Sequence, residues 1–302
     1  MWSPLPLRNT AVGVALTLLA TACGGGDDAA PERVADTTTP APTTTEARPA
    51  AETDSEALEE TTQPVDPAFA RPAWLGTREL PLRPDGLGEI QPTPPELDPR
   101  ALATPSELPP PADDRYASSV SVVAPDVVAR STYNDTCPVG LDELRYLNVS
   151  HWGFDGLHHT GELLVHADHA DDVVEVFRRV HEARFPIEEM RITEAHELDA
   201  HPTGDGNNTG AFVCRVSRAA DPTWSEHAYG RAVDINPFHN PYVRDDMVIP
   251  ELASTYVDRA DDRPGMIQAG GPVVEAFAAV GWSWGGDWRS SKDYMHFSVS
   301  GR

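Results

Sequence analysis

Two stretches of the sequence carry side chains that could do chemistry together. The first is Ser225-Glu226-His227-Ala228-Tyr229-Gly230-Arg231-Ala232-Val233-Asp234-Ile235-Asn236-Pro237. The second is Asp293-Tyr294-Met295-His296-Phe297, which follows Gly281-Trp282-Ser283-Trp284-Gly285-Gly286-Asp287-Trp288. His227, Asp234 and His296 offer two imidazoles and a carboxylate, a three-ligand set that suits zinc and leaves a fourth position for water. Gly230 lets the chain turn so that His227 and Asp234 face one point. Asp293 is then a second carboxylate beside the metal, the place for a general base. It must sit on the turn before the strand, because alternate residues of a strand face opposite ways. On spacing alone the rival reading stays open, since 11 histidines are scattered through the chain and a His-x6-Asp pair also occurs on ordinary surfaces. His158-His159, His166-Ala-Asp-His169 and His196-Glu197 lack the helical His-Glu-x-x-His pattern and read as loop or helix-surface residues. Trp282, Trp284 and Trp288 read as packing residues, Arg231 as solvent-facing and His239 as part of a turn at the site rim.

The elements around these residues are short. Ser119 to Val123, Glu162 to His166, Met190 to Thr193, Ala232 to Ile235 and Tyr294 to Val299 read as strands. Val173, Val176, Phe177 and Val180 make a one-sided helical stripe over Asp171 to Ala183, which Pro186 ends. Pro272 starts a second helix that stops at Gly281. Helices interspersed with short strands and long loops predict one α+β domain, with a short, mostly antiparallel sheet and flanking helices over residues 116–302.

The chain has 302 residues, with 48 acidic against 23 basic side chains and a formal charge of −25. That balance argues against nucleic acid as a partner, because phosphate binding needs a basic footprint. Of the 29 prolines, most lie before residue 116. Residues 24–115 combine Pro, Thr and Ala with a net charge of −12, and such a stretch is expected to be a disordered, extended spacer. Within it, Phe69 to Leu87 with Trp74 is a weak feature that could dock on the domain, although its prolines argue against a folded unit. Residues 1–22 carry Arg8, an apolar run from Ala11 to Ala20 and small residues, a secretory signal too short to span a bilayer. The following Cys23-Gly-Gly-Gly-Asp-Asp resembles a bacterial lipoprotein signal, which implies lipidation of Cys23 and attachment to the membrane; cleavage near Ala22 without a lipid is the plain alternative. Both place the protein outside the cytoplasm. In an oxidising compartment, the remaining Cys137 and Cys214 are expected to form a disulfide.

The motif S-E-H-A-Y-G-R-A-V-D-I-N-P with the later D-Y-M-H-F resembles the zinc D-alanyl-D-alanine carboxypeptidases of the VanY type, a family that includes L-alanyl-D-glutamate endopeptidases. The resemblance runs from about Leu144 to Phe297 and includes G-E-L-L-V-H, F-P-I-E-E-M, N-T-G-A-F-V-C-R and G-W-S-W-G-G-D-W. It implies the α+β fold shared with lysostaphin-type peptidases and hedgehog domains. It also implies Zn2+ on His227, Asp234 and His296, Asp293 as base, and Ser225 in the substrate pocket. Arg215 is the nearest match to the family's substrate-holding arginine, although the usual G-Y-R-S pattern is absent. The implied activity is D-alanyl-D-alanine carboxypeptidase on peptidoglycan stem peptides. An L-alanyl-D-glutamate endopeptidase and a non-catalytic wall-binding module on the same fold are the alternatives.

Overall fold

The structure, a computed structural model, describes residues 66–105, 107–217 and 223–302. The signal, Cys23 and the first part of the expected spacer lie outside the described residues.

The backbone of the fold is a long hairpin. β1 (Ser118–Val122), β2 (Leu144–Trp152) and β3 (His158–His166) form an antiparallel sheet in that order. In the register Leu147 faces Leu163, and Val149 faces Gly161. A Cβ on Gly161 would meet the Met190 sulfur at 2.5 Å, so this glycine is what lets β4 (Glu189–Met190) pass close over the sheet. β4 pairs in parallel with β5 (Asn208–Thr209). The short helix α1 (Pro125–Arg130) follows β1, and α2 (Ala170–Glu182) follows β3. In α2, Asp171 and Asp172 occupy the first turn, and Arg179 and His181 the last, matching the helix dipole. Its stripe of Val173, Val176, Phe177 and Val180 is buried, as the spacing predicts. That stripe packs with Leu147, Leu163 and Val165 of the hairpin and with Val273, Ala276 and Phe277 of α3 (Pro272–Ala279). Each fully buried side chain of this size contributes roughly 1.5–3 kcal/mol. No described helix is long and apolar enough to cross a membrane.

Two further small sheets carry the site-bearing segments. β6 (Ala232–Asp234), β11 (His296–Ser298) and β9 (Ser283–Trp284) form one, with β11 in the middle. β10 (Lys292–Asp293), β7 (Tyr242–Arg244) and β8 (Met247–Ile249) form the other, with β7 in the middle. Phe297 on β11 stacks on Phe277 of α3 at 4.0 Å between ring centroids, which ties the first of these sheets to the main core. The α+β class holds, with several small antiparallel sheets rather than one. Cys137 and Cys214 are joined in a disulfide, beside Val127, Val139, Leu144 and Phe212.

The expected spacer over 24–115 needs correction in its second half. Residues from Asp66 onward are packed on the domain, although only two 3-10 turns, Pro67–Phe69 and Pro95–Leu97, are regular. Leu80, Leu97 and Leu102 are buried against Phe238, Leu252, Tyr256 and Met266. Arg100, 2% exposed, donates from Nε and Nη2 to the two oxygens of Glu188, 0% exposed, each at 2.7 Å. Its Nη1 donates to the Asp205 carbonyl at 2.7 Å, and its guanidinium lies 4.4 Å from the Phe238 ring centroid. Proline content and net charge measure chain entropy and self-repulsion but not such a buried pair, so composition alone placed the domain boundary about fifty residues too late.

Candidate functional site

His227 sits in a 3-10 turn, Glu226–Tyr229. Ser225 caps that turn, its Oγ accepting the His227 N–H at 3.4 Å. Gly230 ends the turn with φ 66°, and a Cβ there would meet the His166 nitrogen at 2.6 Å. Both the left-handed backbone and the close approach to β3 require glycine at this position. The turn delivers the chain into β6, whose last residue is Asp234. In the antiparallel register Asp234 pairs directly with His296, the first residue of β11. Directly opposed residues project to the same face of a sheet, so the carboxylate and the imidazole meet.

The three side chains converge. Their ligand atoms all lie within 4.8 Å of one another. His227 Nε2 is 3.2 Å from Asp234 Oδ2 and 3.2 Å from His296 Nδ1, and His296 Nδ1 is 3.0 Å from Asp234 Oδ1. The outer ring nitrogens fix the tautomers. His227 Nδ1 donates to the Ala211 carbonyl at 2.6 Å, and His296 Nε2 donates to the Arg302 carbonyl at 3.0 Å. Each ring therefore turns its unprotonated nitrogen inward, towards the other and towards a carboxylate. Lone pairs and anionic oxygens packed this closely repel unless a cation or a proton sits among them. Burial works against a charged His296, yet hydrogen bonding and charge from Asp234, with Asp293 adding, push its pKa up to about 9. The Asp234 carboxyl is held well below the usual range: burial opposes this, and the charge and hydrogen bonds of His227 and His296 outweigh it. With a metal ion in place of that proton, two imidazoles held by outer carbonyls and one carboxylate would be a donor set of borderline softness that fits zinc. Asp234 keeps 24% of its side chain exposed, so the cluster is reachable from solvent.

Asp293 is not on a turn that enters the last strand, as the alternation of a strand predicts; it lies on a separate strand, and the expected strand from Tyr294 begins only at His296. It ends β10, paired with Tyr242, and a bend at Tyr294-Met295 separates it from β11. Its Oδ1 is buried without a hydrogen-bond partner among the described residues. Burial first and the charge of Asp234 second push its pKa up to about 7, with His296 and Arg215 pulling the other way. Gly285 makes room for it: a Cβ on Gly285 would stand 2.9 Å from the Asp293 Cβ. Such an unsatisfied oxygen, on a group with a pKa near neutrality, is what a proton-transfer group needs.

The remaining expected residues divide. Arg215 acts electrostatically on Asp293, and its carbonyl accepts the Ser225 N–H at 3.2 Å, which puts it beside the site. Ser225, 9% exposed, turns its hydroxyl to the backbone of His227 and so shapes the turn that aims this ligand. Trp282 and Trp284 are core residues, as expected. Trp288 is different: its ring lies 5.5 Å from the His296 ring and its Nε1 donates to the Gly301 carbonyl at 3.0 Å. Three identical residue types at close spacing gave no sign of which one walls the site. His239 is fully buried and bonded to Arg100 and Asn207, not at a rim. His158, His159 and His166 lie on β3 rather than on loops or helix surfaces. Arg231 packs its guanidinium 4.3 Å from the Tyr229 ring centroid, so it is partly covered. The main-chain acceptors Ala211 and Arg302 leave no trace in the sequence at all.

A paired His-Asp-His cluster with a protonatable carboxylate behind it, carried on small antiparallel sheets, has the make-up of a metallopeptidase site. Residues 219–299 match the family model described as D-alanyl-D-alanine carboxypeptidase. That segment is about a quarter of the chain and contains His227, Asp234, Asp293 and His296. No curated protein and no solved structure matches the chain.

Proposed function

We propose that this protein is an extracytoplasmic, membrane-tethered zinc peptidase that trims peptidoglycan stem peptides, acting as a D-alanyl-D-alanine carboxypeptidase. The observation that carries this reading is the inward convergence of His227, Asp234 and His296 beside an unpartnered Asp293 oxygen, within the segment that matches the carboxypeptidase family. Zinc, when bound, supplies a Lewis acid that polarises the scissile carbonyl and makes water nucleophilic at neutral pH. His227 and His296 present one lone pair each, and Asp234 its carboxylate, with the rings held by Ala211 and Arg302. Asp293 accepts the proton of the attacking water and passes it to the departing amine, the work of a general base and then a general acid. Arg215 supplies a guanidinium for the terminal carboxylate of the substrate, the group a carboxypeptidase must recognise. Trp288 walls the site beside His296.

A wall-binding module without activity has no use for a buried, unsatisfied carboxylate such as Asp293, and this weighs against that alternative. Mass spectrometry of a defined stem-peptide digest tests the substrate reading. Loss of one terminal alanine is expected. Release of the whole stem would instead identify an L-alanyl-D-glutamate endopeptidase.

The tether reading rests on the sequence of residues 1–23. Acyl chains on Cys23 would have to provide the attachment, because the acidic stretch after it cannot bind anionic headgroups. Cys23→Ala is expected to shift the protein from the membrane fraction to the medium while activity on free stem peptides stays unchanged. Wild-type protein found in the medium without lipid mass would refute lipidation.

A further inference from the structure

Arg259 is a cation that the proposed chemistry does not use, and no carboxylate among the described residues forms an ion pair with it. Its guanidinium instead bonds four neutral oxygens. Nη1 donates to the carbonyls of His239 at 2.8 Å and Tyr256 at 3.1 Å. Nη2 donates to Asn240 Oδ1 at 2.9 Å and the Ile267 carbonyl at 2.7 Å. Its plane lies 4.6 Å from the centroid of the Tyr294 ring, while Nε is buried without a partner. Burial pushes its pKa down to about 10, so it stays charged at neutral pH. Carrying an unpaired charge into such a place is costly. Packing needs alone would be met by an apolar side chain.

What the guanidinium touches suggests its use. Asn240 closes the loop that leaves Asp234: its Nδ2 donates to the carbonyls of Ile235, Asn236 and Gly265 at 3.1, 3.2 and 2.9 Å. The far end of that loop, Pro241, accepts the Tyr294 N–H at 3.4 Å, and Tyr242 pairs with Asp293. Ile235 donates to the Met295 carbonyl at 3.0 Å. One planar fork thus grips the loop behind Asp234 with its hydrogen bonds. The same group supports, with its face, the residue between Asp293 and the approach to His296.

We infer that Arg259 is a positioning residue for the site: it locks the Asp234 arm and the Asp293–His296 arm in one register and so sets the distance between ligands and base. The inference rests on the peptidase reading and deepens it. Groups that hold ligands from behind typically contribute 10–100-fold in metal affinity or activity, and a displacement of about 1 Å can cost ~10²-fold in rate. The function needs the planar fork and the ring contact rather than charge alone, so lysine cannot replace it.

The test uses the full chain with Arg259→Lys, Arg259→Gln and Tyr294→Leu. Zinc affinity is measured by chelator competition, folding by thermal melting, and kcat and KM on a stem peptide ending in two D-alanines. Both Arg259 variants are expected to lose about 10–100-fold in zinc affinity and in kcat, with KM changed much less. Tyr294→Leu, which keeps the four hydrogen bonds, should lose a smaller part of both. A folded Arg259→Lys that matches wild type would overturn the inference, because charge alone would then suffice. So would a folded Arg259→Gln with unchanged zinc affinity. Should both Arg259 variants fail to fold, Tyr294→Leu decides: unchanged zinc affinity and kcat defeat the inference, and a loss of both supports it. Wild type that binds no zinc sinks the peptidase reading and this inference together, whereas active, zinc-loaded wild type beside unchanged variants sinks only the inference.

Discussion

Residues 66–105 and the residues that flank β6 and β11 hold the buried loop Asn236–Asn240 by different physics. The first reach it through side chains: the Arg100 carbonyl accepts from His239 Nε2 at 3.0 Å while the Arg100 guanidinium covers Phe238. The second hold it through the main chain, by the Ile235–Met295 bond at its start and the Tyr294–Pro241 bond at its end. Main-chain pairing spreads the load over many small, sequence-tolerant contributions of about 1 kcal/mol net each. A desolvated ion pair concentrates it. Arg100–Glu188 costs several kcal/mol per ion to bury and repays that only while both partners are present. The amino-terminal segment is therefore the brittle part of the fold, and the residues that flank the site strands the tolerant part.

That contrast is broken most severely by deleting residues 1–115. The deletion uncovers Phe238, Leu252, Tyr256 and Met266 and leaves the Glu188 carboxylate without Arg100. The resulting chain of residues 116–302 is expected to lose its cooperative thermal transition, followed by circular dichroism. A sharp transition near the wild-type temperature would show that the domain begins at residue 116 after all.

Glu188→Gln isolates the ion pair within that effect. Removing one charge of a buried pair typically costs about 3–5 kcal/mol, measurable by urea unfolding at pH 7. Burial opposes ionisation of Glu188, but the charge and hydrogen bonds of Arg100 outweigh it and hold the carboxyl below its ordinary 4.5. A carboxylate depressed in the folded state stabilises above the unfolded value and loses that contribution as pH falls through the folded one. The stability gap between wild type and Glu188→Gln should be full at pH 7 and shrink as the pH falls below 4.5. A gap independent of pH would mean that the pair contributes through packing alone.

Cutting the Cys137–Cys214 bond is the mildest of these changes. Its sequence separation of 77 residues corresponds to about 4 kcal/mol in chain-entropy estimates, an upper figure that measured values often fall below. The double substitution to alanine should lower stability by up to that amount and leave kcat unchanged, since the bridge touches none of the ligand residues. Two free thiols in the non-reduced mature protein, seen by alkylation and intact mass, would refute the bridge.

The same two regions differ in how much of them the sequence discloses. His227, Asp234, Asp293 and His296 are legible because their side-chain chemistry is rare in combination, and because Gly230 marks the turn between the first two. The stripe of α2 is legible because 3.6-residue periodicity survives any context. Residues 66–105 are not, since their order comes from distant partners: Leu80, Leu97 and Leu102 against Phe238, Leu252, Tyr256 and Met266, and Arg100 with Glu188, residues that look like surface charges when read singly. β2 carries mixed polar and apolar residues, Leu144 to Trp152, because its faces meet different neighbours, and no clean alternation announces it. Trp288 cannot be told from Trp282 and Trp284 by type or spacing; only the fold decides which of the three meets His296.

The assignment of ligands and base is tested most directly by Asp293→Asn. Zinc content by elemental analysis and turnover of a stem peptide ending in two D-alanines are measured on the same preparation. With Asp293 as base rather than ligand, the variant should hold as much zinc as wild type and turn over ~10²–10⁴-fold more slowly, the range for losing a general base. A variant that loses its zinc, or one that keeps wild-type turnover, would contradict the assignment.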